Sequence, residues 1–259
     1  MIRTLTDHSE LLVILFKRDF LFSYRKTILG VSWVVISPII TALSWVLMNF
    51  TGVINPGNVG IPYPAYILLN TCLWSLFIGF FKAASETLSA GAHFISLVRF
   101  PHEVLFFKQV AQHLVSFLIF FSFNLIILYL FGIVPSWKII FFPIVALPFL
   151  FLGAGIGLMV SIFSVLVQEV QKVADLVFGI LIWITPVIYS TDVTNPLLKK
   201  ITHCNPLTHL VTACREIIIS GTIPNPTMYL YSALFSFILF LFSWKWFFLA
   251  EDRVIERMQ

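Results

Sequence analysis

Charge is what this sequence holds least of. Charged residues fill 11% of its 259 positions and hydrophobic ones 59%, where an average soluble domain is roughly a quarter charged. A water-soluble fold could not cover itself with so few charges, and the mean hydropathy of +0.97 agrees. Such a chain is an all-α integral membrane protein. Cysteine is scarce too. Cys72, Cys204 and Cys214 make an odd set without CxxC spacing; at most Cys204 and Cys214 could pair, and free buried thiols are favoured. No metal site is expected. No GxxxxGK[ST] run exists, so the chain holds no ATP by that route. HExxH, a GxSxG elbow and an acidic pair of glycosyltransferase type are missing as well. His102-Glu103 is read as a solvated pair on a loop, and the few remaining titratable groups argue against an enzyme. No internal repeat is evident, which weighs against a secondary transporter built from duplicated halves. Asp7 and Glu10 interrupt the start in a way that no signal peptide would. The net charge of +4 is explained by its placement across a membrane rather than by nucleic acid, which is not an expected partner.

Long apolar runs stand in place of these features. A spanning helix needs about 20 apolar residues, and six stretches are read as spans: residues 28–50, 63–81, 110–131, 139–167, 173–189 and 226–250. Ahead of them, residues 5–26 form an amphipathic interface helix. Asp7 caps it with Glu10 three positions on, and Lys17, Arg18 and Asp19 forbid the apolar Leu11–Tyr24 segment from spanning. Arg25, Lys26, Leu29 and Gly30 stand at the corner where this helix turns into the first span. A polar segment between the second and third spans holds Lys82, Glu86, His93, Arg99, His102, Glu103 and Lys108. Residues 190–224 are too polar and too broken to cross. Six spans put both termini on one side. With the termini inside, only Lys138, Lys199, Lys200 and Arg215 of the 16 lysines and arginines lie outside, as the positive-inside rule requires.

Two spans carry less lipophilic faces. Gly30, Trp33, Ser37, Thr41, Ser44 and Met48 recur at helical spacing on the first. Lys172, Asp175, Gly179, Trp183, Pro186 and Ser190 do so on the fifth. Each face either lines a conduit or is a seam where small residues let helices approach. Gly153-Ala154-Gly155-Ile156-Gly157 on the fourth span is assigned to packing. Lys82 and Glu86, one helical turn apart, are assigned to mutual pairing. His113 and Asn124 lie deeper in the third span and are too scattered for a proton relay.

Four local stretches, in this order and with these spans between them, resemble the membrane subunit of ABC-2 type polysaccharide exporters, the Wzm, TagG and KpsM family. They are Tyr24-Arg25-Lys26-Thr27-Ile28-Leu29-Gly30-Val31-Ser32-Trp33 with Pro38; Val98-Arg99-Phe100-Pro101-His102-Glu103-Val104-Leu105; Thr185-Pro186-Val187-Ile188-Tyr189; and Asn205-Pro206-Leu207-Thr208-His209 followed by Arg215. Two details depart from the family pattern. Gln168-Glu169 stands where Arg-Asp is frequent, and His102 replaces an arginine after Phe-Pro.

The resemblance covers nearly the whole chain and implies one transmembrane domain, residues 1–259, working as a homodimer. Two copies of a separate ABC ATPase would hold the ATP and Mg, and this chain would bind no cofactor and carry no catalytic residue. The implied location is the bacterial cytoplasmic membrane, multi-pass, with both termini in the cytoplasm. Residues 90–101 would be the coupling helix, with His93, Arg99, Phe100, Pro101, His102 and Glu103 set against the ATPase. The implied substrate is a polyprenyl-diphosphate-linked polysaccharide of O-antigen type, its carrier lipid entering past Arg25, Lys26, Leu29 and Gly30. Aromatic faces meet sugar rings without fixing a register, so Trp33, Ser37, Thr41, Trp45, Phe178, Trp183 and Tyr189 are the expected conduit lining. Residues 195–220 would be re-entrant outer helices, with Pro206, His209 and Arg215 in an outer gate. The competing readings are an ABC-2 exporter of teichoic acid, capsule, drug or small lipid, and a membrane-embedded enzyme of glycan metabolism.

Overall fold

The computed structural model describes residues 30–87, 102–167, 169–192 and 195–256. Eight α-helices fall among them: α1 (Trp33–Phe50), α2 (Tyr63–Ser85), α3 (His102–Leu130), α4 (Phe142–Leu166), α5 (Glu169–Ile184), α6 (Pro196–Cys204), α7 (Pro206–Ile219) and α8 (Pro226–Glu256). Five of them, α1, α2, α3, α4 and α8, are long and apolar enough to cross a membrane. The interface helix expected over residues 5–26 and the coupling helix expected over 90–101 lie outside the described residues.

The bundle is built around α2, whose residues are buried along almost the whole helix. A bilayer supplies no hydrophobic force between helices, so packing must come from close backbone approach. The fourth span meets that need with glycine. A Cβ added at Gly153 would stand 2.9 Å from the Phe77 carbonyl oxygen. One at Gly157 would meet the Phe81 carbonyl oxygen and lie 2.6 Å from Ala84 Cβ. Gly153 and Gly157, one turn apart, therefore seat α4 on the backbone of α2. Gly155, on the opposite side, gives α8 the same access, with Phe240 Cα 3.1 Å from its added Cβ. Phe77 then stacks on Phe149 with ring centroids 5.0 Å apart, locking the register of the two helices.

Asparagine and proline start the short helices. Asn195 accepts from the backbone N–H groups of Leu197 and Leu198, and Asn205 from that of Leu207. Pro196 and Pro206 follow at the first helical position, where a missing N–H costs nothing. At the other end of the described chain, Gly30 holds φ +51 and opens a 3-10 turn, Gly30–Ser32, that leads into α1. That left-handed backbone suits glycine.

Two expected elements are redrawn. α3 begins at His102 rather than near residue 110, so His102 and Glu103 occupy its first turn and not a loop. A helix need not stop where its apolar stretch does. The expected fifth span, residues 173–189, is instead α5 followed by a turn. At ~1.5 Å per residue, the 16 residues of α5 reach about 24 Å, short of the ~30 Å hydrocarbon core. Pro186 ends the helix by biasing Thr185 away from helical backbone.

Residues 185–190 then make a turn in which Thr185, Val187, Ile188 and Ser190 are buried. Irregular backbone is tolerated in a membrane protein where protein covers it and satisfies its polar groups. Here the Ser190 N–H donates to the Pro56 carbonyl at 2.7 Å, and Asn205 Nδ2 donates to Thr185 Oγ1 at 3.1 Å. Introducing Gly157→Val should cost about 1–3 kcal/mol by overpacking against α2, read as a lower thermal midpoint of the purified chain in detergent. Gly179→Ala, whose added Cβ meets nothing within 4 Å, should leave that midpoint unchanged.

Candidate transport site

Loops gather at one end of the bundle. Ser190 bonds Pro56 there, and the Ser136 N–H donates to the Ile218 carbonyl at 2.8 Å. The α6–α7 hairpin sits at this loop-rich end. From it, α5 runs back alongside α2. The Tyr66 hydroxyl donates to the Tyr189 carbonyl at 2.7 Å. Further along, Phe178 packs on Phe77 and Phe81 with ring centroids 5.6 and 4.3 Å apart. Beyond them, Glu86 feels the charges of Lys82 and Asp175. Burial pushes its carboxyl above the ordinary range, Lys82 pulls it back and Asp175 pushes it up again.

The aromatic contacts that hold α5 leave most of its surface uncovered. Lys172, Asp175 and Gly179 are exposed, and Trp183 is 50% exposed. On α1, Ser37, Thr41 and Ser44 are exposed, and Trp33 is 42% exposed. The two helices meet where Trp45 packs edge-on against Trp183, with centroids 5.0 Å apart. Thr41 gives its hydroxyl to the Ser37 carbonyl at 3.1 Å and Ser44 gives its own to Ile40 at 3.0 Å. The Thr41 and Ser44 hydroxyls therefore need no further partner, and exposed Ile40, Leu43 and Leu47 on α1 and Val173, Leu176 and Ile180 on α5 share the uncovered surface with them.

The expected conduit residues therefore divide. Trp33, Ser37, Thr41 and Trp183 lie on the uncovered face. Trp45 is half-buried, with no hydrogen-bond partner for its buried indole N–H. Phe178 is buried and turned toward α2, so in this chain it is a core residue. Tyr189 is held at the turn, its hydroxyl donating to the Ile184 carbonyl at 3.1 Å. Pro186 and Ser190, placed on the polar stripe of the fifth span, are buried as well.

The expected outer-gate residues also turn inward. Pro206 opens α7, a helix buried along most of its length. His209 is 9% exposed and its Nε2 lies 2.8 Å from the His203 carbonyl. Arg215 is 5% exposed and bonds Glu216 at 3.1 Å. It also donates from Nη1 to the Tyr66 hydroxyl at 2.9 Å, its guanidinium carbon 4.9 Å from that ring's centroid. Tyr66 is the residue the sequence reading missed. An arginine within an apolar helix demands a partner, and that demand was its only signal. Arg25, Lys26, Leu29, His93, Arg99, Phe100 and Pro101 lie outside the described residues. His102 and Glu103 are placed by backbone alone, at the head of α3.

A bundle with five helices long and apolar enough to cross a membrane defines a polytopic membrane protein. Comparison with known proteins carries this further. The family model described as ABC-2 type transporter matches residues 10–219, and this chain belongs to that family. It is the membrane permease of a transporter and not a catalytic enzyme. It is similar to proteins named O-antigen export system permease protein RfbA. The Myxococcus xanthus protein is 25% identical over 228 residues, covering 87% of this chain and 86% of that one. A Klebsiella pneumoniae protein of the same name is 23% identical over 219 residues, covering 83% of this chain and 82% of that one. Membership implies an ABC ATPase as partner.

Tyr66→Phe removes both the donor to Tyr189 and the acceptor for Arg215. A destabilisation of about 1–3 kcal/mol is expected. Combined with Arg215→Leu, the loss should fall short of the sum of the two single losses, measured as thermal unfolding in a double-mutant cycle.

Proposed function

We infer that this chain is the membrane subunit of an ATP-driven exporter moving a polyprenyl-diphosphate-linked polysaccharide of O-antigen type across the bacterial cytoplasmic membrane. Two copies work on two ATPase chains, which hold the ATP and Mg. The observation that carries this reading is the uncovered face shared by α1 and α5. An acid and a base, Asp175 and Lys172, stand exposed at its Glu86 end, and glycine, serine and threonine interrupt its exposed leucines, isoleucines and valines further along. Lipid is a poor neighbour for such groups, and a second copy of the face enclosing water is a good one. The names of the similar permeases support a polysaccharide as cargo.

Six crossings fit this reading. α5 and its buried turn together run beside α2 from Glu86 to Tyr66, the extent of a helix that is itself long enough to span. Both termini are then cytoplasmic, the loop-rich end faces outward, and the outer surface keeps few positive charges. The α6–α7 hairpin becomes the outer gate. Arg25 and Lys26 meet the lipid diphosphate at the inner surface, and residues 90–101 couple to the ATPase. Along the conduit, the Thr41 and Ser44 hydroxyls, already satisfied by their own helix, offer little grip, and exposed Trp33 and Trp183 offer ring faces to passing sugars.

Two experiments test this. In a cysteine-free background, Thr41→Cys and Gly179→Cys should react with a charged, membrane-impermeant thiol reagent on the order of ten times faster than Leu234→Cys on the lipid side of α8, because only hydrated thiolates react. Equal rates at all three positions would sink the conduit. Separately, vesicles containing this chain should hydrolyse no ATP until the partner ATPase is added. Replacing Arg99 and Phe100 together by alanine should lower copurification of that ATPase while insertion is unchanged; undiminished copurification would count against the coupling role.

A further inference from the structure

A cavity of about 360 Å³ lies between α3 and α8, with α2 and α4 behind it and no residue of α1 or α5 in its wall. Toward the Glu86 end its last members are Phe106 on α3 and Trp244 on α8, whose ring centroids stand 6.0 Å apart and close it there. Phe151 on α4 stacks on Phe240 of α8 at 4.9 Å and seals the side between those two helices. At the rim, Leu147 and Leu241 are 44% and 49% exposed. Ile144, about one turn from Leu147 along α4, is exposed as well. The cavity is thus a cleft that opens onto lipid.

Its lining is aliphatic or aromatic throughout, and this selects the guest. A sugar would leave its hydroxyls without partners there. Water is excluded too, because an apolar cavity stays dry and accepts apolar guests. A helix from another subunit, ~10 Å across with its side chains, is too wide to enter. Hydrocarbon remains, and an empty cleft would forfeit the dispersion contacts that hydrocarbon restores. Rings make up most of the lining, and stiff walls of this kind suit an unbranched chain better than a methyl-branched isoprenoid. The depth of the cleft supplies the other half of the ligand. Lys108 follows Phe107 on α3, and exposed Lys245 follows Trp244 on α8, with Trp246 next. Lysine and tryptophan this near the end of a span sit at headgroup level.

We propose that this cleft binds one phospholipid from the leaflet at the Glu86 end of the bundle. An acyl chain lies between α3 and α8, and the phosphate meets the Lys245 ammonium. The site depends neither on the cargo nor on which end of the bundle faces the cytoplasm.

The test is native mass spectrometry of the full chain ejected from nanodiscs of phosphatidylglycerol and phosphatidylethanolamine with added undecaprenyl phosphate. One phospholipid per chain should persist at collision energies that strip the remaining lipid. Val110→Trp, which fills the cleft, should lower that retention several-fold. Leu234→Trp, on the exposed side of α8, should leave it unchanged. Lys245→Ala, at an exposed position, should also lower it several-fold, and it decides the matter where Val110→Trp does not fold. Complete stripping of the wild-type chain, retention of undecaprenyl phosphate in place of phospholipid, retention undiminished in Lys245→Ala or in folded Val110→Trp, or equal loss in Leu234→Trp would each overturn the site.

Discussion

The backbone of one helix lying directly against the backbone of another is the constraint from which the rest of this bundle follows. α2 can be central only because Gly153 and Gly157 let α4 reach its carbonyls at Phe77 and Phe81. In lipid, packing contact does the work that water exclusion does elsewhere. Once α2 and α4 are in contact, their flanks are assigned. Gly155 directs α8 to the far side of α4, and the aromatic rings of α2 are left to meet what comes next in space. α5 arrives there with a single inward ring, Phe178, between Phe77 and Phe81. A helix attached through one buried ring, a tryptophan pair and half-buried Ala174, Leu181 and Ile182 keeps much of its remaining surface uncovered.

One hydroxyl group joins three elements. Tyr66 on α2 donates to the carbonyl of Tyr189, just past α5, and accepts from Arg215 on α7. The turn that ends α5 and the helix that closes the loop-rich end thus share a single anchor. Displacement of the 185–190 turn relative to α2 either breaks the Tyr66–Tyr189 bond or drags the hydroxyl on which Arg215 depends. An arginine 5% exposed cannot lose such a partner cheaply. Glu216 and Ser220 extend the chain of bonds to the end of α7, with Ser220 Oγ 3.1 Å from Glu216 Oε2. Motion of α5 and the position of α7 are mechanically linked by this arrangement, without any long path between them.

Much of the fold was legible because hydrocarbon imposes length and composition together. The apolar runs located α1, α2, α4 and α8 closely, and the Gly153–Gly157 pattern announced a packing seam. The starts of α6 and α7 at Asn-Pro pairs were also written locally. Hydropathy could not see where a helix stops inside an apolar stretch. Residues 173–189 look continuous by composition, yet the helix stops at Ile184, ahead of Pro186. It was equally blind to which aromatic rings face inward. Phe178 and Trp183 lie five residues apart on the same helix, and only the position of α2 decides that one is core and the other surface. Tyr66 was invisible for a related reason: a tyrosine in an apolar span reads as an ordinary member of it until its arginine is found 149 residues away.

The surface that α1 leaves uncovered is mixed, and the mixture bears on the export proposed for it. Thr41 and Ser44 turn their hydroxyls back to their own helix, and Ile40, Leu43 and Leu47 stand exposed among them. A surface of that sort holds no passing hydroxyl firmly. Binding strong enough to retain a sugar unit would stall a polymer in the proposed path, because every repeat would have to be released in turn; hydroxyls already spent on their own helix avoid that.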